Sequence, residues 1–287
     1  MQHQKPAFTL ALAAACLALF TGSAMADPDP TAELVIDGEL DLVTRAPSDE
    51  ITPYLPERYS GWLFRSAGTR DIQMDDFENP GLLAVDAGLD AWQTAEGTAG
   101  QSCQDCHGDI EDGMAGVRAQ MPHLNEDGVL WSVEDYVNTC RTERMGAEAW
   151  NWNGTDMINM TAAISMQSRG MPVAVEIDGD ARPYWEQGRD IYYTRFGQLE
   201  LSCANCHEES YGMNIRADHL SQGQINGFPT YRLKNGRLNS IHNRFRGCIR
   251  DTRAETFAVG SDEFRALELY VASRGTGLSV EGVAVRN

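Results

Sequence analysis

A chain of 287 residues, 42% hydrophobic and 23% charged, is long enough for more than one hydrophobic core. Asp and Glu outnumber Lys and Arg by 42 to 23, a net charge of −19, so a polyanion such as nucleic acid is excluded as the expected partner. Gly and Pro are scattered, no heptad runs on, and beyond the first residues no stretch is apolar enough to span a bilayer, which excludes collagen-like, coiled-coil and membrane-spanning classes.

The chain opens on an export pattern. Lys5 supplies a positive start, residues 8–20 form a short apolar run, and Ala24-Met25-Ala26 is a small-x-small cleavage site. The expected cut after Ala26 removes Cys16 and leaves a mature chain starting at Asp27, with the periplasm as its compartment. Residues 27–80 hold no cysteine but include Trp62, Leu63 and Phe64, which predicts an extension packed on the domain that follows.

Six cysteines remain in the mature chain: Cys103, Cys106, Cys140, Cys203, Cys206 and Cys248. An even count in an exported protein suggests disulfides. The spacing points elsewhere, because Cys103-Gln-Asp-Cys106-His107 and Cys203-Ala-Asn-Cys206-His207 are both C-x-x-C-H, the pattern that attaches c-type haem. Two thiols bond the haem vinyl groups, and the adjacent His107 or His207 supplies the proximal iron ligand. A zinc site or two local disulfides are the alternatives, and two copies 100 residues apart behind an export segment favour haem.

The repeat extends beyond the motif. Gly88 and Trp92 precede Cys103 as Gly188 and Tyr192 precede Cys203, and Ser168-Arg-Gly170 matches Ser273-Arg-Gly275. Met157, Met160 and Ile164, like Phe264, Leu267 and Val271, fall at i, i+3 and i+7, which predicts a helix closing each repeat with Gly170 or Gly275 as its C-cap. The expected architecture is mainly α: two tandem cytochrome c-like domains behind the N-terminal extension. The first covers residues 81–171 and the second 184–287, with a Pro- and Gly-rich linker at 172–183.

The sixth iron ligand is the open question. Met213 is the one Met after His207, and it lies too close in sequence to reach the opposite haem face. That leaves His219, His242, Cys248 or a five-coordinate iron for the second haem, and several Met residues, His123 or Cys140 for the first. Cys140 and Cys248 each trail their own motif. They could bridge the domains as a disulfide, sit as bystanders, or ligate the two irons as thiolates, and their matched placement favours ligation.

Their surroundings differ. Residues 231–253 carry Arg232, Lys234, Arg237, Arg244, Arg246, Arg250 and Arg253 against Asp251 alone, whereas residues 131–145 are slightly acidic. Cations favour a reactive thiolate and collect small anions. If Ser240 caps a helix, Arg244 lies one turn before Cys248 on the same face, although Gly247 weakens that helix. A solvated basic face is the plainer reading. Ser132-x-x-Asp135 predicts a capped helix that puts Tyr136 and Cys140 on one face.

The two C-x-x-C-H motifs, the trailing Cys140 and Cys248, and Cys248-Ile-Arg-Asp-Thr-Arg-Ala-Glu255 resemble the SoxA family over essentially the whole mature chain. SoxA proteins are the dihaem subunits of SoxAX cytochromes, L-cysteine S-thiosulfotransferases of bacterial sulfur oxidation. The resemblance implies two covalent haem c groups, His/Cys ligation at both irons through His107 with Cys140 and His207 with Cys248, and a Cys248 able to carry an extra sulfur. It implies a monohaem SoxX-like cytochrome partner, a SoxYZ-like sulfur carrier, and thiosulfate as substrate. Arg244, with Lys234 and Arg253, would hold the thiosulfate oxygens, and Cys248 would transfer the sulfur. A dihaem electron carrier and a dihaem peroxidase using His219 or His242 are the competing classes.

Overall fold

Two helix pairs frame the molecule, and the same sequence device closes each. The computed structural model describes residues 28–215 and 218–287; the expected export segment, with Cys16 and the cut after Ala26, lies outside them. The helices are α1 (Ala67–Met74), α2 (Leu82–Gln93), α3 (Cys103–His107), α4 (Ile110–Gly113), α5 (Val133–Thr139), α6 (Thr155–Met166), α7 (Arg182–Tyr193), α8 (Cys203–His207), α9 (Ile241–Asp251) and α10 (Asp262–Ser273). Helix α2 packs on α6, and α7 on α10. Gly88 and Gly188 sit at the crossings. A Cβ would lie 2.3 Å from the Asn159 carbonyl oxygen at Gly88 and 1.9 Å from the Ala266 carbonyl oxygen at Gly188, so only glycine permits these approaches.

The closing helices end differently from the expectation. The C-caps are Gln167 and Arg274, both right-handed, rather than the glycines of Ser-Arg-Gly. Tight i+3 turns continue past each helix end and satisfy the last carbonyls, so the left-handed turn comes later, at Gly170 and Gly277. The repeated Ser and Arg have structural work instead. Arg169 forms a two-pronged pair with Asp76 at 2.7 Å, and Arg274, fully buried, pairs with Glu208 and stacks 4.5 Å over Tyr192.

Residues 28–80 make a small core of their own from Leu34, Ile36, Leu42, Trp62, Leu63 and Phe64. Each buried side chain of this size contributes about 1.5–3 kcal/mol. The extension was expected to lean on the first haem domain. Its contacts run mainly to the second: the Tyr59 amide donates to Gln222 (2.8 Å), Phe64 packs on His219 and Tyr211, and Asn79 donates to the Val283 carbonyl (2.9 Å). Asp76–Arg169 is the bond back to the first.

The reason is the C-terminal segment. Strand Ala284–Arg286 pairs parallel with Thr230–Arg232, which also pairs antiparallel with Arg237–Asn239. Val280, Val283, Ala284 and Val285 are buried. The Glu281 carboxylate is buried too, and it accepts from Gln73 (2.8 Å), Asn226 (3.2 Å), Arg286 (2.6 Å) and Ser60. One satisfied acid thus ties the extension to the second repeat.

The repeats meet through a buried polar seam. Arg265 of α10 grips Asp135 of α5 at 2.7 and 2.5 Å, and Glu268 accepts from the Ser132 hydroxyl at 2.6 Å. Burial, reinforced by the nearby Glu268, holds the Glu134 carboxyl well above the usual range.

Candidate functional site

In the second repeat Ser202 caps α8, accepting from the Asn205 amide, and the short helix presents Cys203, Cys206 and His207 on successive turns. All three line a cavity of about 430 Å³. Ser240 caps α9, accepting from the Asn243 amide at 3.3 Å, and Gly247 does not interrupt the helix. Helix α9 therefore brings Arg244 and Cys248 into the same cavity, one turn apart.

The His207 ring is set by its surroundings. Nδ1 donates to the Ser221 carbonyl at 2.7 Å, which leaves Nε2 as the free nitrogen. Burial pulls the His207 pKa down to about 4, so the imidazole stays neutral, as a metal ligand must be. Gly223, at φ +80°, lies against the ring, and a Cβ there would come within 2.8 Å of it. Burial pushes the Cys203 thiol up to about 12, with Cys248 and Cys206 adding to the effect. Burial and Cys248 also raise Cys206, against the pull of Arg244.

The donor set fits haem c: two thiols a turn apart, a neutral imidazole with Nε2 free, and a third sulfur on an independent helix. The cavity fits as well. Tyr192 Oη and both amide atoms of Gln224 line it, buried and without a protein partner among the described residues. Gly223 and Ser221 were invisible to motif reading, because their role is to shape and orient one ring.

In the first repeat Ser102 and Asp105 cap α3, which carries Cys103, Cys106 and His107. Trp92 donates to the Gly108 carbonyl (3.1 Å), and its ring lies 5.7 Å from that of His107. Cys140 begins a π-helix, Cys140–Met145, that continues α5. Burial raises the Cys140 thiol, and Arg144 opposes this. Arg141 is committed elsewhere, paired to Glu96 at 2.7 Å and stacked 3.8 Å from the Trp150 ring.

The alternative histidines have other partners. His219 spends both ring nitrogens on the Phe64 and Gly212 carbonyls, at 2.8 and 2.9 Å. His242 accepts from the Gly260 amide at Nδ1, faces Glu268 with Nε2, and stacks 4.3 Å from Trp152. His123 faces the Tyr136 hydroxyl at 3.0 Å. Met213 lies on the surface in a turn. Among the described residues no two cysteines are joined, so Cys140 and Cys248 do not form the inter-domain disulfide.

Of the three cations expected at the anion site, the cavity takes only Arg244. Its charge is reinforced chiefly by Cys248. Lys234 sits in the turn between two strands, 61% exposed and 3.5 Å from Asp218. Arg253 lies past the end of α9 in a left-handed turn, φ +63°, away from the cavity wall. Arg65 and Arg286, which sequence reasoning missed, line the cavity instead. No local pattern marks them, since folding draws them from the extension and the last strand.

Two C-x-x-C-H turns, each backed by a helix pair and faced by a lone cysteine, define a dihaem c-type cytochrome. The SoxA/TsdA cytochrome c domain family model matches residues 87–173 and 187–280. The chain belongs to the SoxA family of dihaem cytochromes c, and its two domains carry two haem c groups. It is 57% identical to the L-cysteine S-thiosulfotransferase subunit SoxA of Rhodovulum sulfidophilum over 281 residues, 97% of each chain. It is also 57% identical to that of Paracoccus pantotrophus over 284 residues, again 97% of each chain. The crystal structure of SoxXA from P. pantotrophus contains a chain 58% identical, with a TM-score of 0.87, covering 90% of this chain and 99% of that one.

Proposed function

We propose that this protein is a periplasmic L-cysteine S-thiosulfotransferase subunit that couples thiosulfate to a cysteine of a sulfur carrier protein. The observation that carries the reading is the shared cavity: Cys248 and Arg244 open onto the space beside Cys203, Cys206 and His207. The names of the relatives support the reaction class, and the SoxXA structure supports a monohaem SoxX-like partner in a heterodimer. The export pattern supports the periplasm, and among the described residues no helix is long and apolar enough to cross a membrane.

Cys103 and Cys106, and Cys203 and Cys206, would hold the haems through thioethers, and His107 with Cys140, and His207 with Cys248, would ligate the irons. Haem c, when bound, supplies the electron-accepting chemistry that the oxidative coupling needs. Arg244 would hold the thiosulfate oxygens by charge-assisted hydrogen bonds and place the sulfane sulfur at Cys248. Joining the Cys248 thiol to thiosulfate forms one S–S bond and releases one proton and two electrons. The carrier thiolate then attacks the sulfane sulfur, takes the thiosulfonate group, and returns Cys248 as thiolate.

Mass spectrometry tests this. After incubation with thiosulfate, the protein with two covalent haems gains the mass of thiosulfate or of one sulfur, and fragmentation places it on Cys248. A modification on Cys140 alone would reverse the assignment of the two repeats.

A further inference from the structure

Seven arginines line the cavity beside Cys248, and Arg65 is one that this chemistry leaves unused. Arg65 directly follows the 3-10 turn Gly61–Phe64 of the N-terminal extension and reaches the cavity wall from there. Its Nη2 donates to the His219 carbonyl at 2.5 Å and its Nη1 to Asn287 Oδ1 at 3.5 Å. Its Nε is buried and has no partner among the described residues. An unpaired buried N–H is unfavourable, and an acceptor entering the cavity would satisfy it.

The charge of Arg65 is also unanswered. Asp218 lies 3.9 Å from Arg232 and 3.5 Å from Lys234, and Glu281 pairs with Arg286 at 2.6 Å. Among the described residues no carboxylate comes within ion-pair distance of Arg65. Its electrostatic neighbours are Arg286, Arg244 and Arg232, with Asp218 as the opposing charge. Burial and these cations pull its guanidinium down to about 10, still cationic at neutral pH. Cations crowded in a cavity with a free donor make a built anion site.

We propose that Arg65, with Arg232 and Arg286, holds an oxyanion group inside the cavity that Arg244 and Cys248 also line. The chemistry is that of a carboxylate or sulfonate received by a guanidinium Nε–H. Two sources can supply it: a haem propionate, or the sulfonate end of the substrate. The inference rests on the reading that this cavity receives haem c beside Cys248. The extension would then be part of the site, and its docking on the second repeat would have a function.

The test uses Arg65→Gln and Arg65→Lys in the full holoprotein with its cytochrome partner. Haem content, the propionate-bending bands in resonance Raman spectra, and thiosulfate kcat and KM are measured. A shifted bending band with KM within about twofold of wild type identifies the haem carboxylate. A KM raised about five- to tenfold, with kcat kept and the bands unchanged, identifies the substrate. Bands and KM both unchanged at full haem loading overturn the proposal and leave Arg65 as a tether to His219. If the Gln variant fails to load haem, the Lys variant decides. It keeps the charge but lacks the Nε–H, so either shift supports the site and wild-type behaviour in both overturns it. Failure of the thiosulfate reading would show separately, as no mass gain at Cys248 in the wild type, and the Raman comparison does not depend on it.

Discussion

The segment that follows each haem-binding turn starts from a common plan and ends in different chemistry. In both repeats a glycine, Gly97 or Gly197, lies against the turn that follows the lone cysteine, where a Cβ would meet backbone at 2.2 or 2.3 Å. In the first repeat that turn centres on Gly146, six residues past Cys140; in the second it centres on Arg253, five past Cys248, and both stand at φ +63°. The extra residue is absorbed as a π-helix, so the framework is kept while the register of the cysteine's helix changes. One turn before the cysteine stands Tyr136 in the first repeat and Arg244 in the second. The comparison teaches that the scaffold sets a lone cysteine on a helix after either C-x-x-C-H turn, and that in the second repeat this sulfur shares a cavity with arginines.

The largest expected effect separates the two sulfurs. Cys248→Met should lose almost all thiosulfate turnover, and Cys140→Met should keep most of it, while each changes the optical spectrum and raises the potential of its own haem. Equal loss of activity would end the distinction between the repeats. An unchanged spectrum in either variant would remove that cysteine as a ligand.

Arg244→Ala comes next. Losing one or two charge-assisted hydrogen bonds, each worth about 1.5–3 kcal/mol, should lower thiosulfate kcat/KM about ten- to a hundredfold. Tyr136→Phe, the same position in the first repeat, should change it less than about twofold. If Arg244→Ala and Arg237→Ala show the same modest, salt-dependent loss, the arginines steer a partner rather than hold an anion.

The helix crossings should respond alike in both repeats. Gly88→Ala and Gly188→Ala each force backbone apart and should cost about 1–3 kcal/mol in denaturant unfolding. The Gly188 variant should cost more, since its contact is closer. A neutral result at either would mean that the helices re-cross without penalty.

The smallest effect is a gain. Arg253 holds a left-handed conformation that costs a residue with a Cβ about 1 kcal/mol. Arg253→Gly should therefore stabilise the protein by up to about 1 kcal/mol with turnover unchanged. Gly146→Ala should do the opposite, because its Cβ would also meet Thr98 Oγ1 at 2.2 Å. A fall in turnover for Arg253→Gly would return that arginine to the anion site.

By itself the sequence determined what local spacing encodes. The C-x-x-C-H turns are local because two thiols and a histidine must fall on one short helix. The capped α5 and α9 and the closing helices are likewise short-range patterns, and so is the facing of Arg244 and Cys248. Only the tertiary structure decided which cations share the cavity. Lys234 and Arg253 are near Cys248 in sequence but turn away from it, one at a strand reversal and one at a helix end. Arg65 and Arg286 are remote in sequence and line the cavity, because Glu281 and the last strand dock the extension against the second repeat. Only the tertiary structure, too, showed that both nitrogens of His219 and Nδ1 of His242 are hydrogen-bonded, since their partners lie in other elements. Long-range packing sets which side chains share a pocket, and no periodicity along the chain carries that information.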